Sequence, residues 1–278
     1  MSISDFKLSD SHVHFGKCSI TGNLISDDDL KTYFLRNHLK SALVTPMDLA
    51  LNEWNHKLLE EINHTVINIY GLYRINSRIT DIENLFNTLR NNRNMLGVKF
   101  HPSFDGFSLS STFWDELFKW LDRLRVLVLV HCGRSMKCAH YSYALNRAEL
   151  HPRLTFILAH MGGNDLKISI SALKYAERLE NVYFDTSNVR TPYIIEEAVA
   201  RLGPERILFG SDYPWGSCYS NAYTIIDAKI SDDDIRIILS RNLEDLVKRI
   251  LLNEFENEVY RPLDLISVLE GVSQVEID

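Results

Sequence analysis

The sequence predicts a single-domain (β/α)8 TIM barrel of the α/β class, on three observations. Eight short apolar runs alternate with longer amphipathic segments along the chain. Some runs are apolar at every position, VLVLV over Val126–Val130 most clearly, as strands buried on both faces must be. Eight parallel strands are the number that closes a barrel, and 278 residues suit the roughly 250 that such a fold takes. The barrel is expected over residues 1–254. The rhythm fades beyond it, and 255–278 reads as a C-terminal extension of the same domain.

The predicted strands are Phe6–His12, Ala42–Thr45, Val66–Leu72, Met95–Phe100, Val126–His131, Thr155–Ala159, Val182–Asp185 and Ile207–Gly210. Helical patterns lie between them. Ser26 precedes three aspartates, so its hydroxyl can cap a helix whose positive end the carboxylates favour. Ser231 stands in the same relation to Asp232–Asp234. Trp114–Leu124 and Ile168–Leu179 carry apolar residues at helical spacing. The main rival fold is a doubly wound open sheet. Gly16 and Gly22 fit neither dinucleotide-loop nor P-loop spacing, which argues against it.

A 45% hydrophobic content is enough for a sizeable core. The mean hydropathy is −0.13, and no apolar run reaches the ~18–20 residues of a membrane span. The start, MSISDFKLSD, has no basic region followed by an apolar stretch. A cytoplasmic protein with no membrane partner is therefore expected. A net charge of −7 argues against a nucleic-acid partner while leaving a small anionic substrate open. Cys18, Cys132, Cys138 and Cys218 form no CxxC pair and read as reduced thiols.

The chemistry is expected where strands end, because barrel active sites lie at the C-terminal ends of strands. The first strand ends in Asp10-Ser-His12-Val-His14. Residues two apart point to the same side, so both imidazoles can face the axis and bind one cation. An HxH pair alone is a weak signal; its place at a strand end strengthens it. His131 follows VLVLV and His160 follows FILA, where an imidazole is costly unless it ligates or is hydrogen-bonded. Asp212 ends ILFGSD, where a carboxylate needs a partner or a metal, or else caps the next loop. Lys99 and His101 on the fourth strand are also two apart; Lys99 could bridge two metals if carboxylated, bind an anion as ammonium, or reach solvent. Asp185 either caps a helix or orients a ligand histidine, and stays outside the core set. Arg74 and Arg134 could fork a substrate carboxylate, and Tyr213 and Trp215 could cover a planar group. His38, His56, His64, His140 and His151 read as surface or packing residues.

DSHVHFG, GVKFHP, VLVHCG, FILAHMGG and RILFGSDYPWG occur in order, each at a predicted strand end. In this the chain resembles the amidohydrolase superfamily, in the branch that includes aminocarboxymuconate-semialdehyde decarboxylase and related hydrolases. The likeness spans roughly residues 6–252, and ISDDDIRIILSRNLEDLV is similar to that branch's closing helices. The resemblance implies a divalent metal, usually one zinc, held by His12, His14, His131 and Asp212. It implies that His160 is an acid/base group or orients water beside the metal. Manganese, or a second metal bridged through Lys99, stays open, and relatives often form homodimers. The expected reaction is hydrolysis of an amide, ester or lactone bond in a small carboxylate-bearing molecule, with Asp212 accepting the water proton. A non-oxidative decarboxylase on the same site is the alternative, and a barrel keeping the metal only as a structural anchor is the third reading.

Overall fold

The computed structural model describes residues 3, 6–18, 21–47, 67–76, 82–133 and 135–252. The expectations placed on His56, His64, Arg134 and 255–278 lie outside them.

Nine strands form one sheet: β1 (Leu8–Lys17), β2 (Leu24–Ile25), β3 (Leu39–Pro46), β4 (Asn68–Ile75), β5 (Met95–Phe100), β6 (Leu127–Val130), β7 (Thr155–Leu158), β8 (Val182–Asp185) and β9 (Ile207–Leu208). The order is β2-β1-β3-β4-β5-β6-β7-β8-β9, parallel throughout except for the short β2, which pairs antiparallel with the end of β1. Eight parallel strands thus run around the barrel, as expected. The seam between last and first strand closes beyond β9. Ser11 N–H donates to the Phe209 carbonyl, Asp212 N–H to that of His12, and His14 N–H to that of Tyr213, each at 2.8 Å.

The strand ends differ from the sequence reading. β1 runs on to Lys17, because β3 hydrogen-bonds it on one side while β2 and the closing segment extend its pairing. His12 and His14 therefore lie in mid-strand. β4 extends to Ile75 and takes Arg74 into the sheet opposite Lys99.

Helices cover the outside: α1 (Asp27–Arg36), α2 (Ile82–Asn91), α3 (Pro102–Asp105), α4 (Asp115–Leu124), α5 (Tyr141–Leu150), α6 (Leu166–Ala176), α7 (Pro192–Leu202), α8 (Cys218–Ile226), α9 (Asp232–Arg236) and, after a π-helical turn, α10 (Asn242–Leu252). Ser26 caps α1 and Ser231 caps α9, each in a reciprocal capping box.

Alternation decides what faces inward. Val126, Val128 and Val130 join the outer core under the helices, while Leu127 and Leu129 join the barrel interior. Leu43, Leu72, Ile157 and Leu208 fill the same interior, and Leu243, Leu246 and Val247 of α10 close its base. Gly97 lets β5 and β6 approach: a Cβ there would stand 1.9 Å from the Leu127 carbonyl oxygen. Apolar side chains thus pack the lower barrel, and the polar residues collect at its upper rim.

Candidate metal centre

Strand β1 and the segment beyond β9, which meet at the closing seam, supply the centre of the site. His12 and His14 project inward from β1, and Asp212 stands across the seam. The Nε2 atoms of His12 and His14 are 3.1 Å apart. Asp212 Oδ1 lies 3.0 Å from His14 Nε2 and 3.5 Å from His12 Nε2. His12 Nδ1 donates to Asp185 Oδ2 at 2.9 Å, which leaves its Nε2 lone pair facing the centre. His160 stacks beside His12, ring centroids 5.4 Å apart, and one ligand atom each of His12, His160 and Asp212 lie within 4.8 Å of one another.

His131 continues the inward set Leu127, Leu129 of β6, and its Nδ1 is 3.1 Å from His160 Nε2. His101 stacks on His131 with centroids 3.8 Å apart, and its Nδ1 accepts from the Phe104 N–H to cap α3. Lys99, only 1% exposed, donates from Nζ to His12 Nε2 at 2.9 Å.

The backbone is unusual here. His160, Met161, Asn188 and Asp212 all have left-handed φ, between 50 and 58°. Such residues in non-glycine positions cluster where a site over-determines the chain. His160 N–H donates to Asp185 Oδ1 at 2.9 Å, which holds that turn. Gly216 closes the loop after Asp212, where a Cβ would meet the Ser211 carbonyl oxygen at 2.1 Å.

Burial governs the charges. It lowers His14 to a pKa of about 3, holds His101 and His131 well below the usual range, and lowers His160. Neutral imidazoles follow, which is the form that ligates. Burial also brings Lys99 down to about 8. For Asp212 burial acts upward, but the His12 and His14 imidazoles outweigh it and keep the carboxyl well below its ordinary range. Its other oxygen accepts from Asn188 Nδ2 at 2.6 Å.

These residues fit a divalent cation. Two imidazole Nε2 atoms and a carboxylate oxygen converge within about one ligand-to-ligand distance. His14 Nδ1 and His131 Nε2 are buried without a hydrogen-bond partner.

A cleft of about 190 Å³ opens onto this centre. His14, His101, His131, Arg74, Asp212 and Trp215 line it. The guanidinium of Arg74 also forks onto Asp105 at 3.0 and 3.2 Å and donates to the Met47 carbonyl. Tyr213 is not a lining residue; its ring stacks on Tyr33 at 4.0 Å. Lys99 and His160 lie beneath the lining.

The motif-bearing half of the chain decides the family. Residues 87–248, more than half of the chain, match the family model described as Amidohydrolase. The chain belongs to the amidohydrolase family. The matched segment runs from α2 into α10; the fold, not the match, brings His12 and His14 of β1 to His160 and Asp212. No curated protein matches the sequence. Among solved structures, a 2,6-dihydroxybenzoate decarboxylase from Rhizobium aligns with a TM-score of 0.68 at 14% identity, covering 88% of this chain and 99% of its own. A dihydroxybenzoic acid decarboxylase from Polaromonas sp. JS666, with bound manganese and the inhibitor 2-nitroresorcinol, gives 0.68 at 15%, covering 92% and 100%. A putative 2-pyrone-4,6-dicarboxylic acid hydrolase from Pseudomonas putida gives 0.65 at 17%, covering 90% and 99%. At these identities the likeness is one of fold.

Asp185 is the residue that sequence reasoning set aside. It is fully buried and touches both His12 and His160. Its signal was available: an aspartate ending an apolar strand, with Ser187 and Asn188 close behind. Among the described residues no helix is long and apolar enough to cross a membrane.

Proposed function

We propose that this amidohydrolase is a metal-dependent hydrolase of a small carboxylate-bearing molecule, cleaving an amide, ester or lactone bond. The observation that carries this is the convergence of His12 Nε2, His14 Nε2 and Asp212 Oδ1 at the floor of the cleft. Zinc is the metal we favour, held by those three residues with His160 and His131 completing the wall; the manganese in the Polaromonas structure keeps that ion as a candidate. A divalent cation held there would supply Lewis acidity, to polarise a substrate oxygen and acidify water.

The chain's own residues do the rest. Asp212 is ionised, and Asn188 fixes its Oδ2, so Oδ1 stays turned to the centre and takes the proton of the attacking water. It returns that proton to the leaving group. His160 Nδ1 lies 3.0 Å from the Ser187 carbonyl, which only accepts, so its Nε2 is an acceptor and orients the water. Arg74 brings positive charge to the cleft wall, which suits a substrate carboxylate, and Trp215 covers the mouth.

A decarboxylase is the second reading. It is favoured by the flat His101–His131 stack beside Trp215, which fits a planar acid, and by the named activity of the Rhizobium and Polaromonas neighbours.

The test is metal content after reconstitution with zinc or manganese, followed by a screen of carboxylated lactones, esters, amides and aromatic acids. Ring opening or acyl cleavage supports hydrolysis. Carbon dioxide release with no hydrolysis moves the assignment to the second reading. A protein that takes up no divalent metal loses both.

A further inference from the structure

The side chain of Asp185, in the middle of the buried polar network, meets more of the site than any other acceptor described above. Its Oδ2 accepts from His12 Nδ1 at 2.9 Å. Its Oδ1 accepts from the backbone N–H groups of His160 at 2.9 Å and Ser187 at 3.0 Å, and from the Ser187 hydroxyl. The Ser187 Oγ lies 2.8 Å from His160 Nδ1 and 3.2 Å from His12 Nδ1.

Counting protons fixes the tautomers. A carboxylate only accepts, so the proton between His12 and Asp185 sits on His12 Nδ1. The hydroxyl of Ser187 has one proton and gives it to Asp185, so its oxygen can only accept from His160. The Ser187 carbonyl, also on His160 Nδ1, can only accept as well. Both rings therefore carry a proton on Nδ1, and both Nε2 atoms are the ones turned to the centre. We propose that Asp185 and Ser187 act as one positioning couple, a single carboxylate fixing the tautomer of His12 directly and that of His160 through Ser187, on two rings stacked 5.4 Å apart.

The couple rests on the metal-centre reading for its purpose, but its first consequence is independent of it. Asp185→Asn offers one oxygen where two are in use. Either His12 or the His160–Ser187 side must then face an amide N–H₂, and one ring is driven toward the Nε2–H form. Groups that orient ligand histidines typically govern metal affinity by 10–100-fold.

The experiment is long-range proton–nitrogen NMR of the histidine rings in the zinc-loaded full-length protein, beside zinc and manganese titrations of the stripped protein. Expected are Nδ1–H at both His12 and His160, a mixed or inverted tautomer at one of them in Asp185→Asn, and a Kd weaker by about 10–100-fold. A merely structural loss would lower Tm without moving the tautomers. If Asp185→Asn does not fold, Ser187→Ala removes only the hydroxyl: the Ser187 carbonyl still receives the His160 Nδ1 proton, so His160 keeps its tautomer and a shifted Nδ1–H resonance is expected. An Nε2–H ring at either histidine in the wild type overturns the proposal with no variant required. So does a Ser187→Ala spectrum identical to the wild type, or an Asp185→Asn variant with unchanged tautomers and affinity. A wild type that binds neither ion refutes the proposed function instead, and the zinc-free spectra still read the couple.

Discussion

At the C-terminal ends of the strands the barrel opens into a cleft of about 190 Å³. At the opposite end a recess of about 400 Å³ lies between Arg125, Arg153, Asn181, Tyr183 and Arg249. The lower recess is larger, and Asn181, Arg153 and Arg249 on its wall are engaged by the protein itself. Asn181 Nδ2 donates to the carbonyls of Ala148, His151 and Leu154; Arg153 pairs with Asp122 at 2.9 Å; Arg249 donates to the Tyr183 hydroxyl at 2.5 Å. In the upper cleft, acceptors face acceptors, and buried nitrogens of His14 and His131 have no partner. Unfilled bonding capacity aimed at one point, rather than volume, distinguishes a site from a gap in the packing.

The comparison breaks first at Asp212. Asp212→Ala should lose the bound cation and lower turnover by about 10³-fold. Metal analysis and kinetics check it; a variant that keeps both would remove the upper cleft's claim.

Acid is the next lever, and the sign follows from burial. His14 titrates near 3 in the folded chain and near the ordinary 6.5 when unfolded. The unfolded state therefore binds more protons below 6.5, and stability falls as pH drops from there toward 3. In the metal-free protein this amounts to about 2 kcal/mol at pH 5 for such an imidazole. Denaturant melts at pH 7 and pH 5 measure it, and a flat profile would mean that the cluster is hydrated.

Trp215, at 42% exposure, touches the cleft without entering the metal triangle. Trp215→Ala should raise KM about tenfold and leave kcat nearly unchanged, as loss of an aromatic cover does. Steady-state kinetics separate the two. The smallest effect belongs to the lower recess: Arg249→Ala should leave metal affinity unchanged and lower Tm by about 2 °C, through loss of its contact with the Tyr183 ring. Calorimetry beside a metal titration would show it.

The barrel was legible because alternation and burial act locally. Leu127, Leu129 and His131 share one parity, and the same rule places His12 beside His14. It fails at His160. Ile157 and Ala159 face inward while Phe156 and Leu158 face outward, so parity would send His160 toward the helices. The left-handed turn held by Asp185 returns it to the axis. That contact spans 25 residues, and no local pattern announces it. Arg74 lines the cleft, and the pairing of its guanidinium with Asp105, 31 residues away, is likewise a tertiary fact. Tyr213 fell to the same cause: its stacking partner, Tyr33, stands on α1.

The seam between the first and last strands has a further meaning for how the molecule comes into being. The bond from Asp212 N–H to the His12 carbonyl joins residues near opposite ends of the described chain. During synthesis β1 waits with one edge open until the eighth parallel strand emerges, and such distant pairings form late and slowly. His12 and Asp212 become neighbours only at that moment. Metal capture would then be a sign of completion: a chain stopped before Asp212 can fold helices against strands, yet it owns only half of a chelating site.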